Sequence, residues 1–220
     1  MSKYHFTLSK EFFASNFFSL LVGFVFFINV SIVPESKTVL QEKTLIDFES
    51  FSVSDMKISV KSNSGLGPEP KLSEFFTSPD LESAKSLLFR LPRGATSELW
   101  EIRFASPLLF DGYIYTIDFP IYSNNSAGEI VALFQDANFE IRKISIAKIS
   151  KKGWETYSIK ILNKIPQMDA SPNIPSKVYL IGFLYYPPKI ESKDREDILA
   201  IDDIQYKSIP KLKNLPETKN

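Results

Sequence analysis

The chain has no cysteine, which removes disulfides, thiolate metal sites, a cysteine nucleophile and the lipid-bearing cysteine of a lipoprotein. Its single histidine is His5, inside an apolar N-terminal region, so the remainder has no imidazole for a triad, a general base or a zinc site. Net charge is missing too. The 26 lysines and arginines balance 26 aspartates and glutamates, and no overall field favours nucleic acid or an anionic membrane. The eight glycines are scattered, and Gly65-Leu66-Gly67 stands before prolines rather than a helix, so no phosphate-cradling loop is present. What remains open is chemistry built from carboxylates, lysine or tyrosine. A non-enzymatic module with no cofactor is the expectation.

At the N-terminus, Lys3 and Lys10 precede a run at 17–33 that carries no charge. A positive start followed by a long apolar stretch marks residues 1–33 as an export signal, with Asn29-Val30-Ser31 or Pro34-Glu35-Ser36 as the cleavage geometry. The alternative is an uncleaved anchor, because the run is close to the length of a membrane span. Either way the folded part is expected outside the cytoplasm. Residues 34–43 read as a linker, 44–207 as one β-domain and 208–220 as a flexible tail.

The domain is written in period two. Residues 44–51, 87–91, 99–105, 113–122, 129–135, 139–149, 154–162, 178–186 and 198–206 read as roughly nine strands, and 56–60 alternates again. Trp100, Ile102 and Phe104 alternate against Glu101 and Arg103, which gives one apolar and one polar face. Asn63 to Pro70 is rich in turn residues, and Ser78-Pro79-Asp80 suits the start of a short helix at Leu81. Strand signals about every ten residues, with prolines at strand ends, predict a single all-β, jelly-roll-like sandwich.

Three groups of residues are candidates for chemistry. Glu49, Asp202 and Asp203 sit on what read as the first and last strands; if those meet, the carboxylates gather where a structural calcium would suit. The plainer reading is solvated strand carboxylates. As a glycosidase pair they fail, because neighbours on one strand point to opposite faces. Trp100, Trp154, Tyr185 and Tyr186 offer aromatic surface for sugar rings or a protein partner, against the commoner role of aromatics in a core. Lys151-Lys152 is too short a basic run to argue for nucleic acid.

One stretch carries more than periodicity. Gly153-Trp154, the alternating strand after it and Ile165-Pro166-Gln167 resemble the FlaA-type outer-layer (sheath) proteins of spirochaete periplasmic flagella. The likeness extends through Ala132-Leu133-Phe134-Gln135-Asp136, Gly182-Phe183 and Ile201-Asp202-Asp203-Ile204, covering about 113–206. The Asp-Asp strand also resembles the close of many carbohydrate-binding-module sandwiches of the galactose-binding type. The sheath resemblance implies a periplasmic structural subunit that coats the flagellin core and contributes to filament shape, stiffness and motility. Its partners would be the core, other sheath proteins and copies of itself. A second expectation is an exported carbohydrate-binding β-sandwich, with Trp154 or Tyr185-Tyr186 on an open groove.

Overall fold

The alternation becomes two antiparallel sheets in the computed structural model, which describes residues 39–50, 52, 58–62, 69–79, 82–91, 99–124, 128–168, 176–187 and 196–211. The expected export signal, the first half of the linker and most of the tail lie outside these residues, as do Asp80 and Leu81, where the short helix was expected. The strands in chain order are β1 (Gln41–Ile46), β2 (Ile58–Lys61), β3 (Glu69–Ser73), β4 (Ser86–Leu91), β5 (Trp100–Phe110) and β6 (Tyr113–Ser123). They continue with β7 (Glu129–Gln135), β8 (Ile141–Lys148), β9 (Gly153–Lys160), β10 (Val178–Tyr186), β11 (Asp197–Ile201) and β12 (Ile204–Ile209).

The smaller sheet has the order β2-β5-β10-β7-β8. In the larger sheet β6 is the hub. One of its edges pairs with β12 and then β11, and its other edge pairs with β9. β12 continues to β1, and β11 to β4 and β3. The inward-facing residues of both sheets fill one core, in which Phe48, Phe89, Trp100, Phe119, Phe134 and Phe183 are the largest fully buried apolar side chains save Tyr185. The β-sandwich expected from the sequence is therefore present.

Three local readings are corrected. The strand expected at 198–206 is two strands, because the chain steps from β11 to β12 at Asp202-Asp203 while both remain on β6. The step falls at the two consecutive aspartates that interrupt the apolar residues of ILAIDDIQY. Glu69 and Pro70, read as turn, open β3; Pro70 is tolerated because β3 is an edge strand with β4 as its one partner. The strand read as 44–51 starts earlier and ends at Ile46, so Asp47 and Glu49 sit in a bend after β1. Twelve strands result among the described residues.

The family-like residues turn out to be architectural. Gly153 opens β9 at φ +101°, a left-handed conformation that suits glycine. Gly182 lies at a register shift in β10 with φ +152°, and a Cβ there would stand 2.0 Å from the Ile102 carbonyl oxygen. Phe183 packs edge-on against Phe104 and Phe119. Ile165 is in the core, and the Pro166 carbonyl accepts the Ala137 N–H at 3.2 Å. The Gln167 amide donates to Ile114 O at 3.0 Å and accepts Ile114 N–H at 2.7 Å.

Candidate functional site

Strand register decides which side chains stand on the outer face of the larger sheet. On β9 and β6, Ile159 pairs with Ile117 inside, so the out-of-phase pair Trp154–Tyr122 faces outward. The same line continues through Ala200 on β11, Leu88 on β4 and Lys71 on β3. Trp154 and Tyr122 are half-buried with ring centroids 5.7 Å apart, tilted by 57°. Phe76 meets Tyr122 edge-on at 5.2 Å. An aromatic row Trp154–Tyr122–Phe76 thus runs from β9 across β6 to residue 76, which lies over the outer face of the sheet. Beyond it, beside the edge strand β3, lies a groove of about 870 Å³ whose walls include Lys71, Phe75 and Leu88.

Of the aromatics singled out from the sequence, only Trp154 belongs to this row. Tyr185 is 1% exposed and meets Trp100 at 4.8 Å and a tilt of 55° in the core, which corrects its assignment to a binding face. Tyr186 is 40% exposed and lies on the smaller sheet, away from Trp154. Sequence reasoning missed Tyr122 and Phe76. Tyr122 is detectable as the out-of-phase member of the β6 alternation; Phe76 is not, because residues 74–79 lie outside any strand.

The acidic residues do meet, because β1 pairs with β12. Their oxygens, however, are engaged by amides. Asp202 is fully buried and accepts Ser78 N–H at 2.6 Å and Asp203 N–H at 2.8 Å. Glu49 accepts the amides of Ala84 at 2.6 Å and Lys85 at 2.8 Å. Burial works against the Glu49 charge, but these amides, the Ser83 hydroxyl and the Lys85 ammonium outweigh it and hold the carboxyl below its usual range. Asp203 goes the other way. Burial raises it first, Phe48 N–H at 3.3 Å lowers it, and the charges of Asp202, Asp47 and Glu49 raise it again, to about 6. Among the described residues no group of three or more histidine, cysteine or acidic side chains is arranged to hold a metal ion.

Two further features lie on the smaller sheet. Val131, Leu133, Ile181 and Leu184 form a second apolar cluster on the face turned away from the core, with Tyr179 packed against it. Exposed Leu109 is the register partner of Tyr179, and exposed Ile141 lies on the same line beyond Gln135. In the β7–β8 turn beside them, Phe139 is 79% exposed and holds φ +65°.

No model of a known protein family matches the chain, and no curated protein matches it either. Solved structures with a similar course of the chain include TmCBM61, solved with β-1,4-galactotriose, at 13% identity and a TM-score of 0.48 over 76% of this chain and 99% of that one. A family 11 carbohydrate-binding module from Clostridium thermocellum, solved with a mixed-linked tetrasaccharide, has 16% identity and a TM-score of 0.48 over 79% and 99%. The glycoside hydrolase domain of Endo-D from Streptococcus pneumoniae R6 has 10% identity and a TM-score of 0.48, over 73% of this chain but 22% of that one. At these values function has to be argued from this chain's own residues.

Proposed function

We propose that this chain is a non-catalytic β-sandwich that binds carbohydrate outside the cytoplasm, on the outer face of its larger sheet. The observation that carries this is the half-buried row Trp154–Tyr122–Phe76. Flat apolar rings held on a rigid sheet suit the C–H faces of sugar rings, and the tilt between neighbours lets successive rings be met at different angles. The chain's composition supports binding over turnover, since the described residues contain no histidine or cysteine. Glycan-array screening followed by calorimetry tests it. Trp154→Ala is expected to weaken binding at least about tenfold, equivalent to about 1.4 kcal/mol, while the fold survives because the residue sits on the outer face of an edge strand. A wild-type chain that binds no glycan on the array overturns the proposal.

A second reading is favoured by a different observation, the exposed Leu109, Ile141 and Phe139 at one end of the smaller sheet. Apolar surface of this kind suits protein contact. It supports the sheath-subunit expectation, in which the chain coats a periplasmic flagellar core beside other sheath proteins. Proteomics of purified filaments decides this, and filaments that lack the chain end it.

A further inference from the structure

Residues 74–79 cross the outer face of the larger sheet as a strap between the aromatic row and the groove. The strap is pinned twice: Ser86 Oγ donates to Phe76 O, and Ser78 N–H donates to the buried Asp202 carboxylate at 2.6 Å. Its start is fixed as well, by Phe75 N–H donating to Ser73 Oγ at 3.2 Å. Phe76 therefore faces Tyr122, while its neighbour Phe75 stands in the wall of the groove, 95% exposed. A phenylalanine so exposed on a backbone held at three points contributes almost nothing to the core. It does present a flat apolar face to whatever enters the groove.

We propose that the groove beside β3 is a second subsite, continuous with the aromatic row, so that the ligand is a linear neutral oligosaccharide lying across the strands. This rests on the carbohydrate reading above and names the ligand class of the same face. The register line Trp154–Tyr122–Ala200–Leu88–Lys71 crosses five neighbouring strands, but Ala200 at its middle is fully buried. The surface that joins row and groove is therefore the strap, on which Phe76 of the row and Phe75 of the groove are consecutive residues. Four strand spacings make about 19 Å, a span for a chain of sugars rather than a single ring. The charges of the groove select against a polyanion. Glu69 and Glu74 balance Lys71 and Lys85, and Glu69 pairs with Lys71 at 3.0 Å, so the groove carries no net charge for a uronate chain. The same groups are donors and acceptors for sugar hydroxyls.

Calorimetry of the full chain against soluble β-glucan and β-galactan series, from monosaccharide to hexasaccharide, tests the subsite. Affinity is expected to rise at least about tenfold from disaccharide to hexasaccharide. Phe75→Ala is expected to return the hexasaccharide to disaccharide affinity, whereas Trp154→Ala weakens both. Phe75→Ala removes an exposed side chain, so its melting temperature should match the wild type. Affinity that does not change with length, with Phe75→Ala silent, overturns the subsite and leaves the carbohydrate reading standing. Preference for polygalacturonate over the neutral series overturns the ligand class. Absence of binding to either series overturns the neutral-ligand proposal. If the array also shows no binding, the carbohydrate reading falls with it.

Discussion

Gln167 does with a side chain what a neighbouring strand does with its backbone. Its amide exchanges two hydrogen bonds with Ile114, and Gln167 itself is buried. Truncation leaves the Ile114 N–H and C=O buried without those partners, each costing about 1–3 kcal/mol. Gln167→Ala is therefore expected to lower unfolding stability by about 2–4 kcal/mol, read from the urea midpoint; an unchanged midpoint would show that water replaces the amide. The sequence marks this residue only through family likeness, because nothing in the pattern Ile165-Pro166-Gln167 names a partner 53 residues upstream. Asp203 was legible as an acidic residue but not as one with a raised pKa of about 6. Because the folded value exceeds the unfolded one near 3.9, the folded state holds the proton longer. The contribution of this one group to stability is then fully present below about pH 4 and is lost as pH rises to about 6. Asp203→Asn should remove that decline. It should stabilise the protein by about 1 kcal/mol at pH 7.5, after allowance for the group's partial exposure, and do little at pH 3.5. Equal effects at both pH values would refute this account.

At the scale of the element, the β7–β8 turn shows how a local conformation is imposed. Asp136 is buried beneath it, accepting N–H groups from Asn138 at 2.8 Å and Glu140 at 2.9 Å and the Arg142 guanidinium at 2.7 Å. Burial opposes the Asp136 charge, but Arg142 and the two amides hold the carboxyl below its usual range. These bonds force Phe139 into the left-handed region, which costs a bulky residue about 1–2 kcal/mol. Phe139→Gly should raise stability by about 1 kcal/mol, since the exposed ring surrenders little packing; differential scanning calorimetry reads the change. If the sheath reading holds, the same variant should associate less with filaments. Strand existence was legible wherever alternation ran for several residues, as in β5, β6 and β10. Strand ends were not. β3 hides in a segment of proline and charge, and the Asp202-Asp203 pair between β11 and β12 does not by itself announce a step, because what holds it there is the bond from the amide of Ser78 to the buried Asp202 carboxylate, far apart in sequence.

For the whole molecule, period-two alternation was enough to give the sandwich, since each strand must bury one face. Pairing partners were out of reach, because register depends on strands far away in the sequence. The candidate site shares that fate: its row is assembled from β9, β6 and the segment 74–79, and only Trp154 was singled out beforehand. One pairing has a consequence in time. β1 is the first described strand and its partner is β12, the last, so Gln41–Ile46 has nothing to pair with until Ile204–Ile209 has been made. Loop closure over that separation makes the step slow. In pulsed hydrogen exchange during refolding, the amides of β1 and β12 should gain protection together and late, after the hairpin of β7 and β8; early protection of β1 would contradict it. A chain emerging end-first from a ribosome or a translocation channel would therefore remain open along this edge until its final strand arrives, and stay threadable for that long.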